Sequence, residues 1–568
     1  MDSLKTVLRY HQETKHQFHR FARSLGYLDW ANQPDPFRRY QNAPVLHLPR
    51  LKPDDQPVSP LYDDLYRRGA VPAQSLTLHA ISRFFEYALS LTAWKQAGEV
   101  RWALRSNPSS GNLHPTEGYV LLGALPQVAT TPGLYHYASK EHGLERRSDW
   151  SDTAFSRLLQ PFPPDTFLFG LSSVHWREAW KYGERAFRYC QHDVGHAIGT
   201  ARIAAAALGW RAVLLEGVSD DQIAALLGLD RPEDFDGAER EHPDCLMAIW
   251  PDERRAAASP TPTIPLFLDS ETVRTQTGCR WYGPGNRLSP DEPVAWPIID
   301  EAATASWKAA GESALLDLPP ASSEERRPSA ALSGPRRLSA GQIIHQRRSA
   351  VAFDGKTGMA AVDFFAMLAR LMPAPSVAVL ARPVPWDCLP WAPTIHLLLF
   401  VHRVEGIPPG LYGLVRNPAF AHRLKQILHD AFAWTTPPGC PNDLPLFLLQ
   451  EGDARRVAAQ VSCGQDIAGD SAFSLGMLAE FDSNLSRHGP WFYRRLFWEA
   501  GLVGQILYLE AEAAGLRATG IGCYFDDPVH QTFGITGTEV QSLYHFTVGG
   551  SVEDARLTTL PPYEPQNP

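Results

Sequence analysis

The 568-residue sequence predicts an α+β protein built from two diverged copies of one domain. Two observations carry that expectation. The first is internal repetition at a fixed offset. LGWRAVLLEGVSDDQIAALLGL, beginning at Leu208, aligns with AGLRATGIGCYFDDPVHQTFGI, beginning at Ala514, so that Gly209 and Gly515, Arg211 and Arg517, Asp221 and Asp527, and Gly228 and Gly534 all differ by 306. The same offset relates Phe167 to Phe473, Gly170 to Gly476 and Arg188 to Arg494. Upstream, Gly133 and Gly410 differ by 277, as do Pro108 and Pro385, so the second copy carries 29 extra residues between Tyr412 and Phe473. The second observation is that helical and strand-like stretches mix without strict βαβ alternation, which excludes a doubly wound sheet. No Walker loop or GxGxxG follows a strand, so Rossmann-type dinucleotide binding has no support.

The elements follow in order. Residues 1–60 form an N-terminal arm in which YLDWANQPDPFRRY reads as a packed turn, and 61–255 form the first domain. Residues 256–340 form a Pro-, Ser- and Ala-rich connector whose CRWYGPGN and VAWPIID stretches hold aromatics suited to docking, and 341–568 form the second domain. In each copy a helix (76–94; 361–371) precedes a Pro-containing loop and a strand (118–125; 395–404). A second strand (166–171; 472–477), a long helix ending near Gly209 or Gly515, a short strand, an acidic turn and a final strand (244–250; 543–548) complete it.

Composition narrows the function class. An apolar content of 44% with 11% aromatics supplies real cores, and a net charge of -9 without a basic stripe argues against nucleic acid as a partner. The polar start MDSLKTVLRYHQETKHQFHR is no signal peptide, and the apolar run Ile395–Val401 is too short to span a bilayer. The expectation is a cytoplasmic protein with no membrane partner. Seven scattered cysteines without a CxxC argue against a disulfide framework or a structural zinc site, so no metal is expected.

Four segments could carry chemistry. In RSNPSSGNLHPTEGYVLL, Pro108 stiffens the entry, Ser109, Ser110 and Asn112 offer hydrogen bonds, and Gly111 permits close backbone approach to a planar ligand. By composition alone it reads more readily as an ordinary turn before a strand. In HQRRSAVAFDG, Arg347 and Arg348 beside Ser349 suit an oxyanion, since guanidinium forks pair bidentately with phosphate; a solvated basic pair at a helix end is the bland reading. TGIGCYFDD brings Gly520, Ile521 and Gly522 together, as a bulge or a ligand-facing edge. WREAWKYGERAFRY contains Lys181 and Tyr182, whose 306-offset counterparts are Arg487 and His488. From the residues alone they read as a solvated lysine and a packing tyrosine. His192 and His196, spaced i,i+4, lack a further ligand and read as a helix face against the partner domain. Asp220–Asp221 and Asp526–Asp527 recur in both copies, which suits a turn or helix-capping role.

PSSGN followed by HP resembles the flavin-contacting loop of the nitroreductase superfamily, and Arg347-Arg348-Ser349 matches that family's Arg-Arg-Ser opening. The longer form with HPTE is similar to its SagB-type branch, the azoline dehydrogenases of thiazole- and oxazole-forming peptide pathways. The resemblance covers most of 60–255 and 340–568. It implies tandem nitroreductase-like domains, each a mixed, mostly antiparallel sheet with helices on both faces, forming an intramolecular pseudo-dimer. It also implies FMN as cofactor, with Arg347, Arg348 and Arg556 at its phosphate end, a Gly520–Gly522 main-chain N–H at the ring, and His114 at flavin or substrate. Lys181 and Tyr182 would serve as catalytic base, the ammonium lowering the phenol pKa.

The copies have decayed in complementary ways. Where the second has RRS and GIG, the first has Arg67-Arg68-Gly69 and Leu214-Leu215-Glu216; where the first has PSSGN, the second has Pro385-Trp386-Asp387-Cys388-Leu389. One composite site remains, so one FMN per chain is expected, because Glu216 and Asp387 oppose a phosphate or crowd the ring at the other. The resemblance implies a flavin-dependent dehydrogenase or oxidase acting on an azoline-type ring in a peptide or natural-product intermediate, with other enzymes of a modification pathway as partners. The alternatives are an NAD(P)H-dependent nitro or quinone reductase, and a flavin-free scaffold of a modification complex.

Overall fold

Sequence periodicity settles into two similar halves. The first runs α1 (Ser3–Glu13), β1 (Val45–His47), α2 (Leu78–Ala88), β2 (Leu91–Ala97), β3 (Val100–Arg105), β4 (Thr116–Leu122), β5 (Gly133–Ala138), β6 (Gly143–Asp149), α3 (Asp152–Leu159), β7 (Phe167–Ser173), α4 (His175–Tyr182), α5 (Ala186–Ala207), β8 (Trp210–Leu214), α6 (Asp220–Leu227) and β9 (His242–Pro251). Helix α7 (Pro297–Ala305) lies between the halves in sequence. The second runs α8 (Ala340–Gln346), α9 (Ala361–Arg370), β10 (Ile395–Val401), β11 (Gly410–Leu414), α10 (Ala421–Ile427), β12 (Leu446–Glu451), α11 (Arg455–Val461), α12 (Asp466–Asp470), β13 (Phe473–Glu480), α13 (Asp482–His488), α14 (Phe492–Ala513), β14 (Arg517–Ile521), α15 (Asp526–Phe533), β15 (Val540–Gly549) and β16 (Thr558–Leu560). The computed structural model describes residues 2–125, 129–252, 264–269, 271, 273, 279–314, 338–374 and 378–563.

Each half is organised on an antiparallel sheet. The orders are β1-β6-β5-β4-β7-β9-β8 and β12-β11-β10-β13-β15-β14, so six positions correspond strand for strand. The irregularities correspond too: the β7–β9 ladder shifts register after Leu171 and the β13–β15 ladder after Met477, again 306 apart. The central strands β4, β7, β10 and β13 are buried along their whole length, which requires covered faces on both sides and explains their near-continuous apolar runs. The α+β class expected from the sequence is the fold observed, with helices packed on mostly antiparallel sheets. No helix among the described residues is long and apolar enough to cross a membrane.

The halves meet along α5 and α14, which correspond residue for residue at the 306 offset. A Cβ on Gly501 would sit 2.3 Å from the His192 carbonyl and 2.9 Å from Gly195 Cα, and one on Gly195 would sit 2.4 Å from the Trp498 carbonyl. Each glycine therefore faces its own counterpart, and a pseudo-two-fold axis runs through this crossing, as in an isologous dimer interface. A single apolar core passes through it, with Phe84, Phe169 and Ala201 continuous with Leu397, Phe473 and Leu507. Buried ion pairs repeat the symmetry: Arg188 binds Asp526 at 2.8 Å, and Arg494 binds Asp220.

The chain ahead of each half crosses to the other. His16, just after α1, exchanges main-chain and carboxylate hydrogen bonds with Asp526 (2.9 and 3.1 Å); Lys308, just after α7, does the same with Asp220 (2.8 and 3.0 Å). His16 and Lys308 differ by 292, so α1 and α7 are equivalent arms, each docked on the opposite half and packed on one another. Thus α1 lies within the 1–60 arm, and α7 within the 256–340 segment, of which 256–263, 270, 272, 274–278 and 315–337 fall outside the described residues.

Two local expectations change. The helix expected over 76–94 stops at Ala88; the chain then forms the β2–β3 hairpin, whose two-residue turn has Gly98 at φ 59°, which a helix cannot accommodate. β16 from the C-terminal segment adds to β2, making a small β16-β2-β3 sheet that joins the halves. The extra length in the second half lies largely in one loop: 415–445 separates β11 from β12, where 139–142 suffices between β5 and β6.

Candidate functional site

A cavity of about 440 Å³ opens between the halves. The first half contributes the 107–112 loop with His114, the β2–β3 hairpin, and Tyr182, Tyr189, Asp193 and His196 from the α4–α5 region. The second contributes residues 347–351, Tyr508, Arg517, residues 519–523, Tyr544 and residues 551–554. The structure thus brings together Pro108, Ser109, Ser110, Asn112, His114, Tyr182, Arg347, Arg348, Ser349, Gly520, Ile521 and Gly522.

One end is cationic. Arg347 is buried, donates to the Arg105 carbonyl at 2.8 Å and lies 5.1 Å over the Tyr508 ring, while its Nε has no partner. Arg348 donates to Thr92 and to the carbonyls of His345 and Arg347. Burial, with a smaller contribution from neighbouring arginines, pulls both guanidiniums down to about 10. Arg517 adjoins them, paired with Glu512. Among the described residues neither Arg347 nor Arg348 has a carboxylate partner, so this end carries unneutralised positive charge suited to a phosphate.

The facing wall is the Pro108 loop. Gly111 (φ 58°), Asn112 (φ 61°) and His114 (φ 52°) are all left-handed, a concentration of backbone strain within four residues. Asp193 fixes the loop by accepting from Ser110 N–H at 3.0 Å and Ser110 Oγ at 2.9 Å. Ser109 Oγ accepts from His114 N–H at 2.7 Å, and Asn112 donates to the Ala103 carbonyl. His114 is buried and held neutral by that burial and by Arg105. It meets Asn112 at 3.1 Å, and its Nδ1 is unpartnered.

Strand β14 forms the third wall. A Cβ on Gly520 would meet the Tyr544 hydroxyl at 2.0 Å, and one on Gly522 would meet the Tyr189 ring at 2.0 Å, so tyrosines pack where side chains would otherwise project. Gly520 N–H donates to the Tyr508 hydroxyl at 3.0 Å, and Ser349 Oγ lies 2.8 Å from the same hydroxyl.

Lys181 and Tyr182 end α4 against the loop: a Cβ on Gly111 would lie 2.6 Å from the Tyr182 hydroxyl and 3.2 Å from Lys181 Nζ. Tyr182 lines the cavity and Lys181 stands behind it. The expected phenol shift is reversed. Burial, then Glu178, push the Tyr182 phenol well above its ordinary value, so it remains protonated. Glu178 is itself buried without a hydrogen-bond partner and raised by burial and by Asp193. The cavity carboxyl that titrates near neutrality is Asp193, raised by burial to about 7. The charges facing Tyr182 are mainly acidic, and a lone lysine in the sequence did not reveal that.

Arg556 is not brought into the cavity. Its side chain is 87% exposed and paired with Asp554, because the turn after β15 folds its guanidinium back on the carboxylate two residues earlier. His192 and His196 face the second half, at the Leu543 carbonyl (3.0 Å) and the Tyr544 hydroxyl (3.1 Å). The recurrent aspartates begin α6 and α15, and Asp220 and Asp526 tie the halves through Arg494 and Arg188. Sequence reasoning missed Asp193, Tyr189, Tyr508, Tyr544 and Arg517 as lining residues. A side chain gives no sign in sequence of which helix face meets a distant loop.

The reciprocal locus is filled by side chains. Asp387, on the counterpart of the Pro108 loop, is gripped at 2.8 Å by two nitrogens of Arg202 and lies 3.5 Å from Arg211. Arg202 and Arg211 are the 306-offset counterparts of Tyr508 and Arg517. Buried Trp386 stacks under Arg416 at 4.5 Å. Glu216, where the other site has Gly522, lies 3.7 Å from Arg495, and the carbonyl of Glu216 accepts from Lys308 Nζ.

Comparison with known proteins agrees with this architecture. Residues 93–238 match the Nitroreductase family. A Methanocaldococcus jannaschii protein named as a nitroreductase is 25% identical over 196 residues, covering 33% of this chain and 89% of that one. A crystal structure from Anabaena variabilis, also named as a nitroreductase, superposes with a TM-score of 0.65 at 20% identity, covering 96% of this chain and 99% of that one. The Escherichia coli microcin synthetase McbBCD complex with truncated pro-MccB17 bound gives 18% identity and a TM-score of 0.26 over 44% of this chain and 92% of that one, an overlay too poor to bear on activity.

Proposed function

We propose that this chain, nitroreductase-like in fold, is an FMN-dependent oxidoreductase that holds one flavin between its halves. The observation that carries the proposal is the composite cavity: buried Arg347 and half-buried Arg348, neither with a carboxylate partner among the described residues, face from one half the strained Pro108 loop of the other. The residues fit the cofactor. An orphaned Arg347 Nε awaits an acceptor, four tyrosines line the middle for a flat ring, and the volume suits a ligand of that size. When bound, FMN would supply two-electron hydride transfer. Arg347 and Arg348 would bind its phosphate, with Ser349 nearby, and Ser109, Ser110 and Asn112 would hold the opposite side. A second flavin is disfavoured because Asp387, Trp386 and Glu216 occupy the reciprocal locus.

The substrate reading is an azoline-type ring in a peptide or natural-product intermediate. It rests on the similarity of PSSGN…HPTE and Lys181-Tyr182 to SagB-type enzymes. In that reaction the chain's own groups must take a proton while hydride leaves the neighbouring carbon. Asp193, titrating near neutrality, suits that task; Tyr182 is a hydrogen-bond donor at the reacting ring, and Lys181 backs it. A second reading, an NAD(P)H-dependent nitro or quinone reductase, draws on the same protonated Tyr182, since a retained phenol proton suits donation to a substrate being reduced.

The test is the absorbance spectrum of the purified protein, with released flavin counted per chain in wild type and Arg348→Ala. About one FMN per chain, lost in the variant, is the expected result. Two would refute the single-site proposal. Failure to bind FMN at all would refute the oxidoreductase reading and leave a flavin-free scaffold. Azoline substrates and NAD(P)H, assayed in turn, separate the two enzyme readings.

A further inference from the structure

Beside the cavity, three residues far apart in sequence converge. Cys463 and Cys523 bring their sulfurs to 2.9 Å, and His16 Nδ1 lies 3.6 Å from Cys523 Sγ. All three ligating atoms fall within 4.8 Å of one another. Cys523 also lines the cavity.

The convergence is built rather than incidental. Gln465 donates to the Cys523 carbonyl at 2.9 Å and to the Ser462 carbonyl at 2.8 Å, clamping the two cysteine-bearing backbones together. Cys463 sits at φ 57°, a left-handed conformation unfavourable for a side chain with a Cβ, and Gly464 follows at φ 70°. His16 arrives on the crossed arm. The cluster also tracks the open site: the counterpart of Cys523 is Gly217 and that of His16 is Lys308. The filled locus therefore lacks both groups.

We propose that Cys463 and Cys523 are a redox-active thiol pair that closes reversibly to a disulfide, with His16 as proton acceptor, by exchange with a small-molecule disulfide entering through the cavity. The proposal goes beyond the flavin reading and does not depend on it. His16, kept neutral by burial, takes the Cys523 proton. The Cys523 thiolate attacks one sulfur of the incoming disulfide, forming a mixed disulfide and expelling a small thiolate, which takes the proton from His16. Cys463 then attacks the Cys523 sulfur, and its proton leaves with the second small thiolate. Two protein thiols and one small disulfide become one protein disulfide and two small thiols, with two electrons moved to the small molecule. The thiol–thiol contact and His16 hold Cys523 below the usual thiol range, while the same contact raises Cys463; this matches attacker and resolver.

The test uses full-length protein, reduced with dithiothreitol, freed of metal with a chelator, and incubated anaerobically with oxidised glutathione. Free thiols are then counted in denaturant, peptides are mapped by mass spectrometry, and flavin and zinc are measured on the same sample. The expected result is loss of two of the seven thiols with a Cys463–Cys523 linked peptide. Cys463→Ser should instead trap glutathione on Cys523, and His16→Ala should slow trapping about tenfold at pH 7 but little at pH 9. Seven persistent thiols, or glutathione only on other cysteines, would overturn the proposal. So would zinc retained at one per chain and released only when this pair is alkylated. Thiol counts do not require bound FMN, so a failed flavin reading shows separately in the flavin measurement.

Discussion

Among the described residues Arg348 and Arg347 stand without carboxylate partners, and their value should therefore appear on ligand binding rather than on folding. A charge-assisted hydrogen bond contributes about 1.5–3 kcal/mol, so Arg348→Ala should weaken FMN about tenfold to a hundredfold in a fluorescence titration, with Tm little changed. An unchanged affinity would remove Arg348 from the phosphate site. Asp193 gives a pH signature. Its folded value, about 7, lies above the unfolded one, so its contribution to stability is fully present below about pH 4 and is lost as pH rises through 7. Tm should fall between about pH 4 and pH 7, and Asp193→Asn should flatten part of that fall. An equal slope in the variant would mean that Asp193 is not the titrating group; buried Asp244, also near 7, would then be the next to substitute. The sequence made Arg347, Arg348, Ser109 and Gly520 legible because each belongs to a short contiguous motif. Asp193 and the Cys463–Cys523–His16 cluster were not, since their meaning lies in contacts across 60 to 507 residues.

At the scale of elements, the α5–α14 crossing depends on two glycines. Gly501→Ala should be severely destabilising, because its Cβ would strike backbone atoms that cannot rotate away; denaturant melts should show a loss of about 3 kcal/mol or more. A fully stable variant would mean that the helices separate at little cost. Arg188→Ala should cost about 3–5 kcal/mol by leaving Asp526 buried and uncompensated apart from Arg185. Truncation before Thr558 removes the strand that completes the β16-β2-β3 sheet. It should weaken FMN through the hairpin that borders the cavity, with the melting transition of the remainder preserved. The hairpin itself escaped sequence reading because LTAWKQAG continues the helical apolar pattern, and only Gly98 signalled a turn. The central strands β4, β7, β9, β10, β13 and β15, by contrast, were legible from their apolar runs, and their correspondence from the repeat offset.

Across the whole molecule, the arms α1 and α7 exchange halves, and nothing in their sequences announces it: α1 and α7 share little beyond position. That exchange has a consequence for the chain during its own synthesis. His16 cannot meet Asp526 until about five hundred further residues have been made, which at roughly 5–20 residues per second is on the order of half a minute to two minutes. Through that interval the apolar face of α1 has no partner from the second half, and the first half has α5 exposed where α14 will lie. A ribosome stalled midway should therefore hold a protease-sensitive, chaperone-bound chain rather than a finished half. The protein commits to its structure only once Asp526 and the rest of the second half have been made, and the site, which needs both halves, comes into being only then.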